Sequence, residues 1–212
     1  MGLWRDQILP RGVNKGLDNP DCNAHRERAA AGLHGTVLEL GFGSGLNLPW
    51  LPAAVECVLA VDPAKVGRKL GAERIAACPA RVEFIAPDAE VLPLDDASVD
   101  SALVTWSLCT IPDVGRALGE VRRVLRPGGA LHFVEHGRST DAGVARWQDR
   151  LDRFQAFACG GCHLNRRIDA LVAAAGFDIE RLDTHYLPKG PRILTFTYEG
   201  VARRGEGVAR RG

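Results

Sequence analysis

The sequence predicts an α/β protein built on a mostly parallel sheet with helices on both faces. Short apolar runs closed by polar or turn residues recur along the chain, and helical patterns lie between them. One run, Val37-Leu38-Glu39-Leu40, empties directly into alternating glycines at Gly41, Gly43 and Gly45. A buried strand that ends in such a loop brings bare main chain close to a ligand. In open parallel sheets, ligands sit beyond the carboxyl ends of the strands.

In chain order, residues 1–34 hold Trp4, Asn14-Lys15-Gly16 and a helix candidate from Asp21 to Gly32, read as N-terminal cap helices. The strand candidates are Thr36 to Leu40, Cys57 to Val61, Val82 to Ile85, Val99 to Thr105 and Ala130 to Glu135. Asp113 to Leu125 carries Val114, Leu118, Val121 and Leu125 at helical spacing, with Asp113 as N-cap and Arg126-Pro127-Gly128-Gly129 as a stop. Asn165 to Ala175 repeats the pattern and ends at Gly176. Phe177 to Leu182 and Arg192 to Tyr198 read as a closing antiparallel strand pair, joined by Leu187-Pro188-Lys189-Gly190-Pro191 without a helix. Residues 200–212 spell Gly-Val-Ala-Arg-Arg-Gly twice, with little to bury, and are expected to be a disordered Arg/Gly tail.

Composition narrows the class. At 212 residues and 46% hydrophobic, the chain suits one core. Its 27 basic against 26 acidic residues leave a charge of +1, too little to steer it toward nucleic acid or an anionic membrane. The start lacks a basic segment followed by an apolar one, and no run reaches the ~18 apolar residues of a membrane span. A cytoplasmic location without an integral membrane segment is expected, with the six cysteines as reduced thiols. Oligomeric state is not legible.

The glycine loop is selective. A dinucleotide turn would place its third glycine at Leu46, and a phosphate-binding P-loop would end in Gly-Lys-Ser/Thr, where this chain has Gly45-Leu46-Asn47. With Glu39 nearby and no Lys or Arg, the loop favours a neutral or cationic ligand, and the sulfonium of S-adenosylmethionine is the cationic candidate. Gly41, Gly43, Ser44, Gly45 and Asn47 would approach it. Asp62, 21 positions after Gly41 and followed by Pro63, would accept from ribose hydroxyls. Asp88-Ala89-Glu90 would bracket an adenine, and Trp106, Ser107 and Leu108 would wall the cavity. An ordinary turn explains Asp62 and Asp88 as well, and core packing explains Trp106 and Leu108.

From Val37 to Glu135 the order of motifs resembles the class I S-adenosylmethionine-dependent methyltransferases of small-molecule type. The resemblance rests on Glu39 to Gly45, Asp62, Asp88-Ala89-Glu90-Val91-Leu92-Pro93-Leu94, Ser98-Val99-Asp100 and Val124-Leu125-Arg126-Pro127-Gly128-Gly129. It implies a seven-stranded Rossmann-like sheet with an antiparallel last strand, a methyltransferase domain at 35–199, and S-adenosyl-L-methionine as cofactor. Cys109, Glu135-His136, Gly161-Cys162-His163-Leu164-Asn165-Arg166 and Gly190-Pro191-Arg192 are similar to the methyltransferase-like alkyl thiol methyltransferases. That implies a small-molecule acceptor, a thiol in the first instance, with an amine, phenol or phospholipid headgroup as alternatives.

A thiol acceptor must ionise, and His136, just beyond the fifth strand, is the candidate catalytic base at the cofactor mouth, with His163 and His185 behind it. Thr105-Trp106-Ser107-Leu108 lacks the Asn/Asp-Pro-Pro-Tyr/Phe pattern of nucleic-acid amino methylation, so no nucleic-acid partner is expected. Cys159-Gly160-Gly161-Cys162-His163 has the form of a haem or zinc motif, but no export signal and no second Cys-x-x-Cys accompany it, so no metal is expected and the segment reads as a lid or acceptor wall. The rival readings are a non-catalytic adenosine-binding module and an NAD-dependent oxidoreductase.

Overall fold

The computed structural model describes residues 8–205. Among these residues, seven strands form one sheet in the order β3-β2-β1-β4-β5-β7-β6. The strands are β1 Gly35–Leu40, β2 Val55–Val61, β3 Arg81–Ala86, β4 Val99–Thr105, β5 Leu125–His136, β6 Phe177–Tyr186 and β7 Phe196–Arg204. The β3-β2-β1-β4-β5 half is parallel, and β7 lies antiparallel between β5 and β6. The seven-stranded, mostly parallel sheet with its antiparallel last strand is therefore as expected.

The helices are α1 Leu9–Leu17, α2 Pro20–Ala30, α3 Lys65–Leu70, α4 Ala72–Ala77, α5 Val114–Val124, α6 Ala142–Ala158, α7 Ile168–Ala174 and α8 Arg192–Thr195. Both faces of the sheet are buried: Leu38, Val104, Leu118, Val121 and Phe133 pack in one cluster, and Val37, Val58, Leu103 and Val134 in another. That double burial is why β1, β2 and β4 read as continuous apolar runs rather than alternating ones. Asp113 caps α5 by accepting from Arg116 N at 3.0 Å, and Gly176 takes φ +84° behind α7. No helix among the described residues is long and apolar enough to cross a membrane.

Three expectations are corrected. The stop after α5 is not followed by a loop, since β5 begins at Leu125 and carries Gly128 at φ +77° within it. Arg192 does not open the last strand: Gly190 at φ +112° turns the chain, and Arg192, just after Pro191 at the N-cap, starts the four-residue helix α8 before β7. The tail expected from residue 200 begins too early. Gly200 to Arg204 complete β7, Ala202 is fully buried, Arg203 Nε donates to Glu180 Oε1 at 2.6 Å, and Arg204 bonds the Arg123 carbonyl. Pairing with both β5 and β6 orders this stretch despite its composition. Trp4 and residues 206–212 lie outside the described residues.

Candidate active site

The carboxyl ends of β1, β2, β3 and β4 open into one cavity of about 350 Å³. Its wall includes Gly41, Gly43, Ser44, Asn47, Asp62, Pro63, Asp88, Ala89, Trp106 and Ser107. The first four strands thus deliver these ten of the expected residues to one place. Gly41 takes φ +70° and Gly43 φ +57°, both left-handed. A Cβ on Gly41 would overlap the Ser107 hydroxyl, so only glycine lets the β1 loop lie against the β4 loop.

Asp62 holds this geometry from the neighbouring strand. Its Oδ2 accepts from Gly43 N at 2.7 Å and its Oδ1 from Ala64 N at 2.6 Å. Burial raises its pKa, and the two backbone N–H groups oppose the rise. Both oxygens therefore brace the loop, while each retains a lone pair for a ligand hydroxyl. Trp106 adopts φ +49°, an uncommon conformation for a large side chain, in the turn that walls the far side.

Five of the expected residues lie off the wall. Gly45 faces Leu48 and Phe42, and Leu108 is fully buried in the core. Glu90 Oε1 accepts from Asp113 N at 2.9 Å, capping α5 instead of holding an adenine. His136 is not at the cavity mouth: its Nε2 lies 3.1 Å from Cys162 Sγ. Glu39 lies beneath the wall, almost fully buried, where its Oε1 accepts from Asn47 Nδ2 at 2.8 Å. Burial pushes its pKa up to about 7.

Sequence reasoning named an N-terminal cap but none of the residues by which it roofs the cavity. Helix α1 contributes Leu9, Pro10, Val13, Asn14 and Leu17 to the cavity, and α2 contributes Arg26. The buried Arg26 guanidinium sits 4.6 Å above the Trp106 ring and donates to the Leu17 carbonyl at 3.3 Å. Burial lowers its pKa. An arginine in the middle of a weakly amphipathic helix gives no local signal for this role. Glu135 supports the wall from behind: its Oε1 accepts from Ser107 N at 2.7 Å and Leu108 N at 2.9 Å, pinning the turn that carries Trp106.

These residues fit the expected cofactor. Two buried polar atoms lack partners, Nε of the wall residue Arg26 and Oε2 of Glu39 beneath the wall. One is an acceptor suited to an ammonium and the other a donor suited to a carboxylate, which are the charges of an amino-acid moiety.

The Cys-x-x-Cys-His segment is split three ways. Cys159 lines the cavity, Cys162 meets Cys109 and His136, and His163 Nδ1 lies 2.8 Å from Asp152 Oδ2. The Cys109 sulfhydryl beside it and burial raise the Cys162 thiol's pKa, and His136 opposes the rise. His185 stacks on His25, 4.8 Å between ring centroids, away from the cavity wall.

A family described as "Methyltransferase domain" matches residues 38–133. The chain is 31% identical over 169 residues to thiol S-methyltransferase TMT1B of Rattus norvegicus, covering 75% of this chain and 68% of the relative. It is 39% identical over 109 residues to the ubiquinone/menaquinone biosynthesis C-methyltransferase UbiE of Acidiphilium cryptum, covering 50% of this chain and 43% of the relative. A Haemonchus contortus phosphoethanolamine N-methyltransferase 2, solved with phosphomonomethylethanolamine and S-adenosylhomocysteine, superposes with a TM-score of 0.72 at 15% identity over 96% of this chain and 60% of that one, a likeness of fold.

Proposed function

Because the chain belongs to the S-adenosylmethionine-dependent methyltransferases, we infer that its acceptor is a small apolar thiol. The carrying observation is the alignment with a thiol S-methyltransferase over 75% of the chain, which runs well beyond the cofactor-binding half. The cavity supports it: Leu9, Val13 and Leu17 from α1 and Ile111 and Pro112 after β4 give an apolar wall facing the glycine loop.

When bound, S-adenosylmethionine supplies a methyl group on a sulfonium that is already a good leaving group. The chain's task is then to bind, orient and exclude water. Gly41, Gly43, Ser44 and Asn47 would lie along the amino-acid portion, with Glu39 and Arg26 taking its two charges. Asp62 and Pro63 would meet the ribose, and Asp88 and Ala89 the adenine. Trp106 and Ser107 would close the side nearest the acceptor. His136 remains the group that handles the acceptor's proton, acting from behind the wall, where Cys109 Sγ lies 3.4 Å from the hydroxyl of the wall residue Thr110.

The test is a labelled-methyl assay with alkyl thiol, amine, phenol, quinol and phospholipid acceptors. Transfer to the thiol with the highest kcat/KM is expected; preferential transfer to a carbon or nitrogen acceptor would refute the thiol reading. His136→Ala should lower kcat at least about tenfold while leaving S-adenosylhomocysteine affinity unchanged, in the range of single acid–base contributions. Equal turnover removes His136 from the reaction.

A further inference from the structure

Three metal-ligating side chains outside the cofactor cavity converge from distant parts of the chain. The ligand atoms of Cys109, His136 and Cys162 all lie within 4.8 Å of one another. Cys109 Sγ and Cys162 Sγ are 3.6 Å apart, and His136 Nε2 is 3.1 Å from Cys162 Sγ. Two sulfurs each about 2.3 Å from a tetrahedral ion would be about 3.8 Å apart, so the observed pair is already at ligand spacing.

The segments are held there by hydrogen bonds that do not involve the three side chains. His163 N donates to the Cys109 carbonyl at 2.9 Å, joining the Cys162 loop to the Cys109 loop. The Arg166 guanidinium donates to the Leu108 and Ile111 carbonyls on either side of Cys109. Arg138 N donates to the Arg166 carbonyl at 2.8 Å, tying the end of β5 to the same loop.

We propose that Cys109, His136 and Cys162 bind a thiophilic divalent ion of the zinc class, with one coordination position left for an exogenous thiol. Soft sulfur with imidazole selects such an ion over magnesium or calcium. No fourth histidine, cysteine or carboxylate joins the cluster among the described residues, and three protein ligands are the hallmark of an open site. A thiol entering that position loses its S–H proton to solvent as it binds, so in the metal-loaded chain His136 serves as a ligand in place of its proton-handling role. Its sulfur lone pair then forms the new S–CH₃ bond while the donor's sulfonium C–S bond breaks, that electron pair staying on the donor sulfur. The cluster adjoins the cavity wall at Thr110, where such a thiol would meet the donor. The open position rests on the thiol-acceptor reading; the metal site itself does not.

The experiment is titration of the reduced, chelator-stripped full chain with Co²⁺ in buffer free of added thiols. A stoichiometry of one, with a thiolate-to-cobalt charge-transfer band and the visible bands of a tetrahedral ion, is expected. Cys109→Ser, Cys162→Ser and His136→Ala should each weaken binding at least about 100-fold, more than the loss of a supporting group costs. Cys159→Ser and His163→Ala should keep the spectrum, in contrast to what the contiguous Cys-x-x-Cys-His motif would require. Competition between the wild-type chain and a chromophoric chelator for Zn²⁺ gives the affinity without relying on any variant folding. Absence of the band, its survival in Cys162→Ser, or formation of a Cys109–Cys162 disulfide with no metal uptake would overturn the site. A cobalt spectrum unmoved by saturating alkyl thiol would overturn the open position alone, and the labelled-methyl assay then judges the acceptor separately.

Discussion

Glu39 is a carboxylate placed where water cannot reach it, and its cost depends on pH. Its ordinary value is near 4.5, and burial raises it to about 7 in the folded chain. Between those values the native state holds a proton that the unfolded state has released, so stability falls as pH rises through the window. Glu39→Gln should remove that slope and make the free protein more stable than wild type at pH 8, by up to about 3 kcal/mol, as read by chemical denaturation at pH 5 and 8. Cofactor binding should respond in the opposite sense. An ammonium prefers the ionised carboxylate, so S-adenosylhomocysteine affinity should rise across pH 7 in wild type and stay flat in Glu39→Gln. A flat wild-type profile would detach Glu39 from the ligand. Asp62 supplies a contrasting case, a buried acid whose two oxygens are engaged by Gly43 and Ala64. Asp62→Ala should weaken cofactor binding by ~1–3 kcal/mol because the loop loses its brace even before any ribose contact is counted. Titration calorimetry showing wild-type affinity would remove Asp62 from the site.

At the scale of elements, the glycine loop is shaped from outside as much as from within. Gly67 lies inside α3, where alanine would ordinarily be preferred by about 1 kcal/mol, yet a Cβ there would run into the Gly43 carbonyl. Gly67→Ala should therefore lower S-adenosylhomocysteine affinity at least about tenfold, against the helix propensity gain. Gly119 is the control: it sits in α5 with open space for 4 Å around the point a Cβ would occupy, so Gly119→Ala should raise stability by about 0.5–1 kcal/mol and leave affinity alone. Equal behaviour of the two variants would show that the close approach of α3 is not what shapes the loop. These elements also mark what the sequence discloses. β1, β2 and β4 were legible because burial on both faces writes a continuous apolar run, and Gly41, Gly43, Asp62 and Asp88 were legible because they closely follow strands. Helix α1 was not, because Leu9-Pro10-Arg11-Gly12-Val13-Asn14-Lys15-Gly16-Leu17 carries two glycines and a proline, and tertiary docking overrides that poor propensity. Arg26 and the Cys109, His136 and Cys162 cluster were opaque for a different reason: each depends on residues brought together across long stretches of chain, which no local spacing records.

Across the whole molecule, the N-terminal helices are fastened to the antiparallel end of the sheet while forming the roof of a cavity at its parallel end. Glu199 on β7 is almost fully buried and accepts from Arg28 at 2.9 and 2.8 Å, with His25 Nδ1 2.6 Å away. On the other side, Ser44 Oγ bonds Asn14, Arg74 bonds both the Ser44 carbonyl and Asp18, and Arg26 covers Trp106. Loosening the anchor should therefore weaken the site. Burial alone would raise the Glu199 pKa, but His25 and Arg28 hold it at about 2. Because this value lies below the ordinary 4.5, its contribution is present above about pH 4.5 and is lost as pH falls toward 2. Glu199→Gln should cost about 1–3 kcal/mol at neutral pH, less than a fully buried pair because Arg28 is half exposed, and the deficit should shrink on acidification. Hydrogen exchange separates anchoring from general stability. In Glu199→Gln, amides of residues 9–30 should exchange faster than those of β1 and β4, and S-adenosylhomocysteine should slow residues 9–30 in wild type more than in the variant. If ligand leaves exchange in α1 and α2 unchanged, the roof is packing alone and Arg26 has no part in holding the cofactor.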